Sequence, residues 1–140
     1  MMPYWLFKEE PGCYNYDALE REGRTVWDGV ANNTALLHLR QVRPGDEVLL
    51  YHTGDEKAVV AIMRAVSEPY PDPREKDDRL VVVDVVPVRR LLRPVTLREI
   101  KADPLFAEWD LVRNSRLSVM PVPPRIWKKI LALEKAGEGK

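Results

Sequence analysis

Apolar residues fall in short blocks, separated by clusters of Pro, Gly and charge. The first block, PYWLFK at 3–8, has strand length and is rich in aromatics. Residues 15–22 read as a short helix, with Asn15 as N-cap and Gly23 as its stop. Residues 25–29 read as a turn-like connection. Helical spacing resumes over 33–42 and ends at the breaker Arg43-Pro44-Gly45-Asp46. Two strands follow, 47–53 and 58–66, interrupted by Gly54-Asp55. The run PYPDPREKDD at 69–78 predicts an exposed loop. In the β-branched run 80–88, Pro87 marks a strand end, an edge or a bulge.

The C-terminal third reads as mainly helical. Thr96 with Glu99 three residues later is a capping-box pattern opening a helix over 96–102. A helical turn is expected at 105–111 and a short strand at 116–122. Pro123 and Pro124 open a helix to about residue 135, with Ile126, Ile130 and Leu133 turned inward and Lys128, Lys129 and Lys135 toward water. The tail 136–140 is expected to fray. Strands and helices do not alternate, which argues against a doubly wound parallel sheet. The pattern predicts an α+β fold: a small, mostly antiparallel β pseudo-barrel with flanking helices, one domain over residues 1–135.

Composition narrows the class. With 45% hydrophobic and 31% charged residues in 140, the balance is globular. Cys13 stands alone, so neither an internal disulfide nor a multi-cysteine zinc site is expected, and no cofactor is implied. No apolar run reaches the length of a membrane span, and the N-terminus carries Glu9 and Glu10 with no basic region before them. A cytoplasmic protein is the expectation. Arginine exceeds lysine 14 to 8, glutamine occurs once and proline 12 times, a thermophile-like composition.

Net charge is zero, which argues against binding nucleic acid by bulk electrostatics. The charge is uneven, however. Residues 1–70 carry 7 basic and 11 acidic side chains, residues 71–140 carry 15 and 11. Residues 111–133 contain Arg113, Arg116, Arg125, Lys128 and Lys129 and no acid, leaving room for a local basic face. Arg113, Arg125 and Lys128 are the candidate phosphate contacts.

Five of the 11 aromatics lie within residues 4–16. On a strand, Trp5 and Phe7 share one face, Tyr4 and Leu6 the other. These rings either pack a small core or wall a stacking site for a flat ligand. Trp27 sits in a turn beside Asp28 and Gly29, and Tyr51-His52-Thr53 ends a strand at a glycine loop, where side chains reach a barrel rim. His52 reads either as a ligand hydrogen-bonding group or as an interfacial histidine. His38 has no partner at metal-ligand spacing. Nucleophile-elbow, P-loop, dinucleotide-binding and zinc-deaminase patterns are all missing. Glu9, Glu10 and Asp46 are available carboxylates, but no spacing singles out an acid/base pair.

Several segments together resemble the EVE domain, a family of the PUA-like superfamily. They are Trp5-Leu6-Phe7-Lys8-Glu9-Glu10-Pro11, Trp27-Asp28-Gly29-Val30-Ala31-Asn32, Gly45-Asp46, Tyr51-His52-Thr53, Tyr70-Pro71-Asp72 and Arg116-Leu117-Ser118-Val119-Met120-Pro121-Val122, in family order over residues 3–133. The resemblance implies a PUA-like pseudo-barrel and a non-enzymatic reader of a modified base, with C5-modified cytosine in DNA the leading ligand. That base would be flipped out or single-stranded. The implied base pocket comprises Trp5, Lys8, Trp27, Val30, Asn32, Tyr51, His52, Thr53, Arg116 and Ser118. DNA is the expected partner ahead of RNA, with no membrane and no obligate protein partner. Two other readings are an RNA-binding accessory module and, by likeness to ASCH domains, an amidohydrolase of acylated cytidine using Lys8 with Glu9 or Glu10. The chain departs from the family pattern at Glu9, where a Ser is common, and at Ala31, where an Arg is common. Both changes lower affinity for anions.

Overall fold

The computed structural model describes residues 3–136. Among these the chain runs β1 (Tyr4–Glu9), α1 (Tyr16–Glu22), β2 (Thr25–Trp27), α2 (Asn33–Leu39), β3 (Glu47–His52), β4 (Ala58–Ala65), β5 (Tyr70–Pro71), β6 (Val81–Thr96), α3 (Leu97–Ala102), a 3₁₀ turn (Pro104–Phe106), α4 (Asp110–Arg113), β7 (Val119–Val122) and α5 (Pro124–Lys135). The expected frayed tail lies outside the described residues from 137 onward. No helix among the described residues is long and apolar enough to cross a membrane.

The strand order is β2-β6-β4-β3-β1-β7, with β5 added to β6. Every pairing is antiparallel except β1 with β3, which run parallel from Tyr4↔Glu47 to Glu9↔His52. The sheet curls into a half-barrel. Register shifts in the β4–β6 ladder, one of them beside Met63↔Pro87, bend the long strand β6. Helix α2 touches both β6 and β7, which lie far apart in the strand order, so it covers the open seam. β3 and β4 are buried on nearly every side chain, which explains why their sequences read as continuous apolar runs.

Local signals hold where they are chemical. Asn15 caps α1 by accepting from the Ala18 amide, and Gly23 closes it at φ 75°. The Thr96–Glu99 capping box is present on α3. Other boundaries move. The expected turn at 25–29 contains β2, because β6 supplies a ladder that local propensity does not reveal. Of the three readings of Pro87 the bulge holds: the register shifts beside it, and β6 runs on to Thr96. The helix at 33–42 stops at Leu39, since residues 38–42 tighten into i→i+3 bonds. The expected turn at 105–111 splits into the 3₁₀ turn and α4, and the last strand begins only at Val119.

In α5, Ile126 and Ile130 are buried as expected, but Leu133 and Lys129 are only half-buried and Glu134 is buried instead. The Glu134 carboxylate accepts two bonds from Arg89 at 2.9 and 2.7 Å and one from the Leu92 amide at 2.8 Å, which ties α5 to β6. A buried carboxylate is stable there because each oxygen is satisfied and charge-paired. The Arg89 guanidinium holds the Glu134 carboxyl below its ordinary value.

Candidate nucleic-acid interface

The C-terminal ends of β1 and β3 lie side by side, so the register Lys8↔Tyr51 and Glu9↔His52 sets the site. Successive strand residues point to opposite faces, and the four side chains therefore divide. Lys8 and Tyr51 face one side, with the Lys8 ammonium 5.7 Å from the Tyr51 ring centre. Glu9 and His52 face the other.

On the Glu9 side, a cleft of about 250 Å³ is lined by Glu9, Cys13, Tyr14, Thr25, Val26, Trp27 and Asp28. Trp27 lies between Phe7, 5.5 Å away and tilted, and Tyr14, 6.3 Å away and edge-on. Asp28 forms an ion pair with Arg74, whose side chain also reaches the buried Asp72. The 69–78 loop is thereby strapped to the segment that carries Trp27. The Glu9 carboxyl is pushed above its ordinary value by burial and by Glu10, against the opposing pull of the Glu10 amide and of His52.

His52 lines a second cleft, of about 340 Å³, on the far side of the 10–15 turn. Its Nδ1 lies 2.7 Å from Glu56 Oε1. Its Nε2 is buried and is the one such side-chain atom without a partner among the described residues. That ring nitrogen is left with hydrogen-bonding capacity at the edge of this cleft.

On the Lys8 side, a cleft of about 310 Å³ is lined by three lysines, Lys8, Lys57 and Lys101, together with Tyr51, Thr53, Gly54, Leu97, Leu111, Val112 and Ser115, and by no acid. Lys8 Nζ donates to the Ser115 carbonyl at 2.9 Å, and burial lowers the lysine below its ordinary value. Lys57 and Lys101 also border an adjoining depression together with Arg98 and Glu56, and exposed Arg116 follows Ser115 directly. Lys57, in the loop between β3 and β4, holds φ 47°, a left-handed conformation that L-residues seldom adopt outside tight turns. Neither Lys57 nor Lys101 stands out in the sequence: they are isolated surface lysines more than forty positions apart. The pairing Ala58↔Thr96, with the Leu97 amide donating to the Lys57 carbonyl at 2.8 Å, brings them together.

The residues expected to converge on one aromatic pocket do not do so. Trp5, Trp27 and Tyr51 are only 3%, 4% and 3% exposed, so none offers an open ring face. Trp5 lies at the opposite end of β1, where Nε1 donates to the buried Asp46 carboxylate at 2.9 Å. Val30 is buried beside a separate small depression that also includes Ala31. The Asn32 side chain is engaged as the N-cap of α2, accepting from the Ala35 amide at 3.0 Å. Thr53 and Lys8 share the basic cleft, and the Ser118 carbonyl accepts from the Lys8 amide at 2.9 Å.

Of the expected phosphate contacts, Arg113 is paired with Glu108 at 2.7 Å. Arg125 and Lys128 lie on α5 beside Trp127, which stacks on Tyr4 at 4.1 Å. Tyr4 begins β1, so Trp127 and the start of α5 pack at the end of the strand opposite Glu9, with about 17 Å of strand between Tyr4 and Glu9. The acid-free stretch of sequence is thus not one surface. Lys8 and Glu9, on opposite faces, serve different clefts and form no acid/base pair. No group of acids, His and Cys among the described residues is arranged to hold a metal ion.

The chain is similar to known proteins along nearly all its length. A model described as the EVE domain matches residues 3–133. Thymocyte nuclear protein 1 of Rattus norvegicus is 31% identical over 95% of this chain and 74% of its own length. The solution structure of Rpa0253 from Rhodopseudomonas palustris superposes with a TM-score of 0.90 at 37% identity, covering 96% of this chain and 94% of that one. Human THYN1, solved in complex with DNA containing 5-methylcytosine, superposes with a TM-score of 0.86 at 28% identity, covering 95% of this chain and 98% of that one.

Proposed function

This chain belongs to the EVE domain family, and we propose that it is a non-enzymatic DNA-binding domain that reads a cytosine modified at C5. The reading rests on one observation above the others: a relative with the same fold over nearly the whole chain holds 5-methylcytosine DNA. The two clefts at the ends of β1 and β3 supply the chemistry. The cleft of Glu9, Tyr14 and Trp27 takes the base. Its volume falls a little below the ~300–1,000 Å³ of sites for drug-sized ligands, which suits a single base. A base inside a duplex cannot reach such a cleft, so it enters flipped or from a single strand. The neighbouring cleft of Lys8, Lys57 and Lys101 takes the backbone phosphates, which position the strand and carry no base information.

Fluorescence-anisotropy titration of oligonucleotides identical except for one 5-methylcytosine tests the proposal. Tighter binding of the modified strand is expected, with the difference nearly independent of salt. Equal affinity for modified and unmodified strands overturns it. RNA carrying the same base serves as competitor: RNA displacing DNA at equal or lower concentration would turn the reading toward an RNA-binding module.

A further inference from the structure

Recognition of a C5-modified cytosine in DNA poses a chemical problem. Thymine also carries a methyl group at C5. The two bases differ at C4, where 5-methylcytosine presents an amine that donates and thymine a carbonyl that accepts. A site that senses only the methyl group would therefore bind thymine, which is abundant. Discrimination requires a group that distinguishes donor from acceptor.

The Glu9–Trp27 cleft contains such a group. Its lining holds two aromatic rings, apolar and small polar side chains and two carboxylates, with no Lys or Arg. Asp28 is engaged by Arg74. Glu9 has no such partner: among the described residues no ion pair involves it. Its half-buried carboxylate takes a bond from the Glu10 amide and retains further acceptor capacity toward the cleft. Apart from the adjoining Glu10 amide, that carboxylate is an acceptor with no side-chain donor among the described residues. The neighbouring Lys8 cannot supply one, because it points to the opposite face of β1 and donates to Ser115.

We infer that Glu9 is the residue that separates C5-modified cytosine from thymine, its carboxylate accepting a hydrogen bond from the 4-amino group of cytosine and repelling O4 of thymine. This rests on the DNA-reader proposal above. Because the carboxylate is half-buried, water compensates poorly when an acceptor faces it, and the mismatch is felt as lost affinity. Ser, the common family residue at this place, has a hydroxyl that both donates and accepts, so it does not enforce the same choice.

The test uses the full chain and single-stranded oligonucleotides that differ at one position, 5-methylcytosine or thymine, titrated by anisotropy. The wild-type protein is expected to prefer 5-methylcytosine by on the order of 10-fold, the discrimination a specific base-edge contact supplies. In Glu9→Gln, whose amide both donates and accepts, the ratio falls toward parity; Glu9→Ser provides the same readout if the Gln variant folds poorly. A wild-type ratio near one, or an unchanged ratio in the folded variants, overturns the assignment of Glu9 while leaving the DNA-reader proposal standing. Failure of the wild-type protein to distinguish 5-methylcytosine from unmodified cytosine overturns that proposal, and the inference with it.

Discussion

Trp5 donates its indole N–H to the Asp46 carboxylate at 2.9 Å, in a buried contact that joins the start of β1 to the turn before β3. The same carboxylate oxygen accepts from the Arg43 amide at 2.9 Å, so Asp46 organises the turn that sets the parallel register of β1 and β3. That register places Lys8 beside Tyr51 and Glu9 beside His52, and hence builds the site from a distance.

Trp5 is accordingly expected to act on stability. Trp5→Ala should cost about 3–5 kcal/mol, as expected for a large aromatic deleted from a packed core. Urea denaturation measures the loss. Trp5→Phe, which keeps the packing and removes the donor, should leave DNA affinity intact in the folded protein. Loss of binding in a folded Trp5→Phe would place the residue in the ligand site.

The basic cleft predicts a localised salt dependence. Each phosphate contact removed reduces the slope of log affinity against log salt by about 1. Lys57→Ala with Lys101→Ala should therefore flatten the slope by about 2, equally for modified and unmodified DNA. Arg125→Ala with Lys128→Ala should leave it unchanged, since α5 begins at the other end of the sheet. A reversed result would relocate the strand to α5.

Gly54 meets two constraints at once. Its φ is +73°, and a Cβ added there would stand 2.6 Å from Glu10 Oε2. Gly54→Ala should cost about 1–3 kcal/mol through backbone strain and displacement of the Glu10 side chain. A melting temperature equal to wild type would show that this turn adapts freely.

Glu99, in the first turn of α3, predicts a pH dependence of stability. Its carboxylate accepts from both terminal nitrogens of Arg93, at 2.8 and 2.7 Å, and from the Thr96 amide at 2.9 Å. Arg93 first, then the Thr96 bonds, pull it down from 4.5 to about 2. A depressed carboxyl stabilises the fold above its unfolded value and loses that contribution as pH falls through the folded one. Glu99→Gln, whose amide oxygen keeps the bond from the Thr96 N–H, should thus destabilise by about 0.5–1 kcal/mol at neutral pH, the scale of a partly exposed ion pair. The difference from wild type should shrink between pH 4.5 and about 2, as followed by denaturant titration across that range. A difference constant with pH would mean that the ion pair with Arg93 contributes nothing.

The sequence by itself determined the elements whose causes are local, together with the family. Asn15 and Gly23 bound α1, Thr96 and Glu99 open α3, and the Pro pair opens α5, because caps and turns depend on side chains a few positions away. The EVE-domain segments were legible for a similar reason, being short contiguous runs. What only the tertiary structure decided was which of these residues meet. Trp5 and Trp27 looked alike as aromatics, yet one is tied to Asp46 and the other borders the Glu9 cleft. Arg125 and Lys128 looked like part of one basic face with Arg113, but helix α5 carries them to the far end of the sheet. Lys57 and Lys101 do not stand out in the sequence, and the β4–β6 pairing sets them beside Lys8. Strand pairing joins positions dozens of residues apart, and alternation sends adjacent residues to opposite faces. A linear pattern can therefore identify the chemical groups of this site without specifying which of them share a cleft.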